Sequence, residues 1–394
     1  MILTVGAVAA GGSCVARADD GRVVFVRHAL PGETVRVVVT STGSRFLRAD
    51  AVEVLSASPD RVEPPCPFAG PGRCGGCDWQ HASASAQLAL KQAVVAEQLS
   101  RLARFSWDGP VVPVAPALGW RTRVQWAVSG AGELGLHRHR SRELELVDRC
   151  LIGAPGCDLP PEGSWTPATE VEAFCIDGQR VLSVTGQPSA PGPGGLVVDG
   201  RPVRLPHGVR TAVGGRSFEV AGGGFWQVHV NAPTVLWEAV RDGLAARPGE
   251  SVVDLYAGAG LFAALLGDAV GPSGAVLAVE GSARACADAA RNTSDQPWVR
   301  VRTAAVSASL VRGLRPPDLV VLDPPRAGAG LEVSAALAAL RPRALAYVAC
   351  DPASFARDLR VFRDAGWSVG SLRAFDIYPQ TEHVELVTVL HPPA

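Results

Sequence analysis

From about residue 224 onward the chain repeats one unit, a short apolar run, a turn and then helical sequence. Val252-Val253-Asp254-Leu255-Tyr256 opens the series and is followed by Gly258-Ala259-Gly260 and a helix start at Leu261. Ala275 to Glu280, Asp318 to Asp323 and Ala344 to Cys350 repeat the pattern, and runs near 369–375 and 384–390 close it. Alternating strand and helix predicts a parallel, doubly wound, Rossmann-like α/β sheet, with ligands at the carboxyl ends of its strands.

The first 57 residues differ. Val23 to Val26, Thr34 to Val39 and Ala51 to Leu55 are short strand-like runs separated by Asp19-Asp20-Gly21 and Pro31-Gly32. That spacing predicts a small five-stranded, OB-like β-barrel. Between the two lies a mixed stretch with a helical run from about Ser83 to Arg104, strands over 111–150, and a Pro- and Gly-rich segment at 154–215 read as short strands and loops. Three units follow: a barrel over 1–57, a central α+β domain over 58–220 and the α/β domain over 221–394.

Nine cysteines occur, and five stand out. Cys66-x7-Cys74-Gly75-Gly76-Cys77 is a knuckle whose glycines let the backbone wrap a metal centre, and Cys150 can supply a fourth thiolate. Four thiolates suit either zinc or an iron–sulfur cluster. Cys350 instead ends an apolar strand and is followed by Asp351-Pro352, the setting of a nucleophile. Cys14, Cys157, Cys175 and Cys286 read as packing residues. The start, Met1 to Val5, has neither the basic residues nor the apolar length of an export signal, so the expected compartment is the reducing cytoplasm. No apolar run reaches the roughly 18 residues of a membrane helix. With a net charge of −1 and a single lysine, Lys91, an RNA partner would be held by local patches, such as Arg121, Arg123, Arg138, Arg140 and Arg142.

The strand ends narrow the chemistry. Asp254-x-x-x-Gly258-x-Gly260 is a nucleotide-type turn, and Glu280 ends the next strand 20 residues past the glycines, where a carboxylate suits a ribose diol. This fits NAD and S-adenosylmethionine equally. Asp323-Pro324-Pro325-Arg326 and Tyr347-Val348-Ala349-Cys350-Asp351-Pro352 favour the second. Both end strands at the same crevice, where a dinucleotide fold would need another glycine-rich turn.

Together these motifs closely resemble those of the RNA uridine-5-methyltransferases. The matching pieces are the cysteine knuckle with Cys150, Phe225-Trp226-Gln227-Val228, Asp254 to Gly260, Asp323 to Gly328, Tyr347 to Ser354 and His383-Val384-Glu385, in family order. The resemblance implies a TRAM domain at the N-terminus and a [4Fe-4S] cluster on Cys66, Cys74, Cys77 and Cys150, with zinc the less favoured occupant. It implies S-adenosylmethionine contacts at Gln227, Tyr256, Glu280 and Asp323, with Cys350 as nucleophile and Glu385 as base. Ala257 stands where many members carry Cys, and 303–307 offers no clear adenine contact. The implied partner is RNA with a flipped-out uridine, 23S rRNA before tRNA, with no membrane and no protein partner. Three rivals remain: a methyltransferase for another base without covalent catalysis, an NAD(P)-linked iron–sulfur oxidoreductase, and a non-catalytic RNA-binding protein on a methyltransferase fold.

Overall fold

The computed structural model describes residues 1–166, 169–186 and 188–394. Strands Ile2–Thr4, Cys14–Arg17, Val23–Arg27, Thr34–Thr42 and Phe46–Ser56 form one sheet in the order first, fourth, fifth, third, second. Alternate side chains point inward, as a two-residue period requires, so Val24, Val26, Val35, Val37, Leu47 and Ala49 make a private core. The five-stranded expectation holds.

Ser83 caps the helix Ala84–Gln98 by accepting the Ala86 N–H, and the helix runs on through a π turn at Leu99–Ala103 to a left-handed Arg104. It does not pack where its sequence neighbours do. Val95, Leu99 and Ala103 lie in one apolar cluster with Leu345, Tyr347, Phe355 and Phe362 of the C-terminal sheet and its helices. Val111–Pro113 then joins that sheet as its edge strand, parallel to Ser368–Asp376. The cysteine knuckle is thereby fastened to the C-terminal sheet by the very next element.

The 154–215 segment is more regular than its composition suggests. Glu170–Ile176, Gln179–Thr185, Gly195–Val198 and Arg201–Arg204 make one side of a seven-stranded sheet completed by Arg123–Val128, Leu134–His137 and Leu144–Glu145. Its strands hide because both faces are covered. Val171, Ala173 and Cys175 face one core, while Phe174 and Ile176 face another, so the alternation begun at Glu170 to Ala173 is lost from Phe174 onward. Cys14, Cys157, Cys175 and Cys286 are all buried, as expected of packing residues.

The C-terminal sheet has eight strands in the order Val299–Thr303, Ala275–Glu280, Ser251–Leu255, Leu319–Leu322, Ala344–Ala349, Glu385–His391, Ser368–Asp376, Val111–Pro113. The first five are parallel. Glu385–His391 runs antiparallel to Ala344–Ala349. Apolar clusters cover both faces, the doubly wound arrangement read from the sequence. Among the described residues no helix is long and apolar enough to cross a membrane.

Candidate active site

A cavity of about 1220 Å³ opens at the carboxyl ends of the parallel strands, and Gln227, Tyr256, Glu280, Asp323, Cys350 and Glu385 all line it. All six site residues expected in the α/β unit therefore share one crevice. Sheet register explains the meeting of the last two. Ala349 pairs with Leu386 in the antiparallel ladder, so the next rung sets Cys350 opposite Glu385. Asp323 directly follows the neighbouring strand Leu319–Leu322 and reaches the same edge.

One end of the cavity is built on the glycine turn. Gly258 and Gly260 hold positive φ angles of 55° and 86°, and a Cβ on Gly260 would come within 3.1 Å of Ala289. Only glycine turns that tightly against the helix Ala283–Asn292, which carries Ala289. Tyr256 is also left-handed at φ 61°, a costly conformation for an aromatic residue that aims its ring into the crevice mouth. Both Glu280 oxygens are oriented from behind, by the Gly258 N–H at 3.0 Å and the Ser282 N–H at 2.7 Å. Each oxygen keeps a lone pair for a hydroxyl.

The other end is acidic and poorly solvated. Gln227 Nε2 donates to Asp323 Oδ2 at 3.0 Å, yet burial outweighs that bond and pushes the Asp323 carboxyl up to about 7. Glu385 is 2% exposed and accepts from Tyr378 Oη at 3.2 Å. Burial and then the nearby Asp323 charge raise its carboxyl well above the usual range, against the Tyr378 bond. The Cys350 thiol is pushed up to about 12 by burial, Glu385 and Asp323, with Arg326 pulling the other way. Cys350 also sits just ahead of the helix Pro352–Asp364. Asp351 caps that helix by accepting the Ser354 N–H at 2.7 Å, and the helix's positive end favours a thiolate. The combination gathers a thiol and two carboxyl groups, all pushed upward by burial, around one space.

The TRAM domain family matches residues 2–52, the barrel. Across 99% of its length the chain is 48% identical to an uncharacterized RNA methyltransferase of Streptomyces avermitilis, covering 98% of that protein. A second such relative, from Bifidobacterium longum, is 35% identical over 96% of this chain and 93% of its own. The chain belongs to this family of RNA methyltransferases. The crystal structure of the Pyrococcus abyssi tRNA (uracil-54, C5)-methyltransferase in complex with S-adenosyl-L-homocysteine superposes with a TM-score of 0.74. It covers 99% of this chain and 100% of that one at 20% identity, so the whole domain arrangement is a common fold.

In the methyltransferase a second, smaller cavity of about 230 Å³ is lined by Cys66, Cys74, Cys77 and Cys150. Cys74, Cys77 and Cys150 are pushed upward, mainly by burial. Gln80, which also lines this cavity, accepts the Cys66 N–H at 3.0 Å. Gly75 is obligatory there, since a Cβ would fall 2.6 Å from the His139 nitrogen. Among the described residues no three such ligands close on a single-ion position. Arg121 and the glycines of the knuckle line both cavities, so the cage forms part of the wall of the active site.

The arginine cluster divides. Arg123 is 9% exposed, pairs with Glu172 at 2.6 Å and lies 3.6 Å over the Phe174 ring, which makes it a packing residue rather than a phosphate contact. Arg138 is taken up by Glu143 and Glu145. Arg140 and Arg142 are exposed, and Arg121 faces the crevice. Tyr378 escaped the sequence reading. It stands in an irregular segment without periodicity, and its role shows only through its bond to Glu385.

Proposed function

We propose that this enzyme transfers a methyl group from S-adenosylmethionine to carbon 5 of a uridine in RNA through a covalent Cys350 adduct. What carries the reading is the ladder register that sets Cys350 opposite Glu385, with Asp323 at the same edge. Carbon 5 of uracil is too weakly nucleophilic to attack a sulfonium methyl directly. The Cys350 sulfur adds to carbon 6 as its proton passes to Asp323, whose value near 7 suits acceptance. The protonated Asp323 then donates to the uracil oxygen that gains negative charge. Carbon 5 attacks the methyl carbon, and the sulfonium leaves as the neutral thioether. Glu385, made more basic by burial, takes the carbon-5 proton. The C5–H electron pair forms the C5–C6 double bond as the C6–S bond breaks and Cys350 leaves as thiolate. Gln227 holds Asp323, while Tyr256 and Glu280 hold the nucleoside of the methyl donor.

Cys66, Cys74, Cys77 and Cys150 would hold a [4Fe-4S] cluster. A tetrahedral zinc with bonds of about 2.3 Å draws its thiolates to within roughly 4 Å of one another. Four cysteine sulfurs lining one cavity supply a donor set that suits such a cluster, and the family resemblance favours it over zinc. When bound, the cluster cross-links the knuckle to the central sheet, and methyl transfer asks no electron of it. The expected setting is the reducing cytoplasm. The substrate reading favours 23S rRNA, because a TRAM barrel accompanies a cysteine cage here. The alternative, tRNA, is the substrate named for the Pyrococcus abyssi enzyme of the same fold.

The deciding experiment incubates the protein with S-adenosylmethionine and RNA carrying 5-fluorouridine. The fluorine leaves Glu385 no proton to remove, so a denaturant-resistant adduct should accumulate on Cys350. Its absence overturns the covalent reading. Mapping 5-methyluridine in RNA from cells with and without the gene identifies the target.

A further inference from the structure

The Glu385 carboxylate depends on one neighbour for its orientation. Its Oε2 accepts from Tyr378, and its Oε1 is buried with no partner. Tyr378 lies in the segment between strands Ser368–Asp376 and Glu385–His391, outside any ladder. The bonds that hold this segment come from nearly 300 residues away. Lys91 Nζ, 0% exposed, donates to Asp376 Oδ1 at 2.5 Å and to the Tyr378 carbonyl at 3.0 Å. Gln87 and Gln380 form a reciprocal pair: Gln87 Nε2 donates to Gln380 Oε1 at 3.0 Å, and the Gln380 N–H donates to Gln87 Oε1 at 2.9 Å. The Asp78 and Trp79 N–H groups both donate to the Gln380 carbonyl at 3.0 Å, and Asp78 Oδ2 accepts the Glu382 N–H at 3.2 Å. Gln380 itself is left-handed at φ 71°, a conformation that these bonds impose.

We propose that Gln87 and Lys91, on the helix that follows the cysteine knuckle, are positioning residues that set Tyr378, and through it Glu385, for removal of the carbon-5 proton. The inference rests on the covalent uridine reading and names what its last step requires. Proton removal demands donor–acceptor contact within about 3 Å, and a misplacement of about 1 Å costs roughly 100-fold. Addition of Cys350 and methyl transfer do not pass through Tyr378. Loosening the strap should therefore slow one step and spare those before it.

Gln87→Met keeps the side chain's volume and deletes its polar pairing with Gln380. A second variant, Lys91→Met with Asp376→Leu, removes the buried ion pair as a unit and leaves no orphaned charge. Each is compared with wild type in three measurements: steady-state methylation, the covalent fraction on ordinary uridine RNA in a denaturing gel, and the rate of trapping by 5-fluorouridine RNA. The expected result is a kcat lowered roughly 10–100-fold with RNA KM within about twofold, a raised covalent fraction, and an unchanged trapping rate. Unchanged kcat in both variants overturns the proposal. So does a trapping rate that falls in step with kcat, because the strap would then act on the whole site. Failure of the wild type to trap any adduct sinks the underlying covalent reading instead, and is visible in the control lane.

Discussion

At the scale of single residues, the proposed covalent reaction turns on three protons: those of Cys350, Asp323 and Glu385. Replacing Cys350 by Ala should abolish both methyl transfer and the fluorouridine adduct, while S-adenosylmethionine affinity, read by calorimetry, stays within about threefold. Glu385→Gln should do the opposite to the adduct. With addition intact and elimination blocked, a covalent RNA–protein species accumulates on ordinary uridine RNA, and turnover falls by about 100-fold or more. The same substitution has a stability signature. The folded-state pKa of Glu385 lies above its unfolded value because burial penalises the charge. The folded protein thus binds more protons than the unfolded chain above about pH 4, and stability is lost as pH rises through that window. Glu385→Gln escapes this loss, so in urea titration its stability relative to wild type should rise between pH 4 and pH 8. Cys350 was legible because it ends an apolar run beside a recognisable motif, whereas Glu385, which begins a strand, was legible only through the resemblance carried by His383-Val384-Glu385. Tyr378 was not, since nothing local distinguishes it from any loop tyrosine.

At the scale of elements, the half of the molecule that carries the chemistry was the easier to read. Strands such as Leu319–Leu322 and Ala344–Ala349 are buried throughout and stand apart as continuous apolar runs. The seven-stranded sheet was harder because Glu170–Ile176 is buried on two unlike faces and loses its alternation from Phe174 onward. The helix Ala84–Gln98 was visible, but its docking on the distant C-terminal sheet was not, because helical spacing does not name a partner. Element ends carry function here, and the cap at Asp351 illustrates it. Its Oδ1 accepts the N–H of Ser354, and the single Oγ–H of Ser354 is shared between that oxygen and the Arg326 carbonyl, tying the Asp323-Pro324-Pro325-Arg326 loop to the helix that follows Cys350. Asp351→Ala should cost about 1 kcal/mol in urea unfolding. It should also lower kcat more than KM, because the loop and Cys350 lose their common tie.

At the scale of the whole molecule, the barrel is joined to the rest by contacts that are few but buried. Glu33, 0% exposed, accepts from Arg61 Nε at 2.6 Å and Nη2 at 2.7 Å and from the Leu30 and Ser58 N–H groups. Arg61 also donates to the His28 carbonyl, and Trp79 Nε1 of the knuckle donates to the Gly12 carbonyl of the barrel. Burial works to raise the Glu33 carboxyl, but Arg61 and the two N–H groups outweigh it and leave the group below its usual range. Its contribution is therefore present above the unfolded carboxylate pKa and lost as pH falls through the folded value. Arg61→Met strands the carboxylate in the interior, a change that costs about 3–5 kcal/mol when one partner of a buried pair is removed. Adding Glu33→Gln should recover part of that loss. If the barrel captures RNA, Arg61→Met should weaken RNA affinity and raise KM; because the crevice lining lies outside the barrel, single-turnover methylation at saturating RNA should stay within about threefold of wild type. If the saturated rate falls as steeply as the affinity, the barrel shapes the catalytic crevice itself, and the division of labour between RNA capture and methyl transfer is wrong.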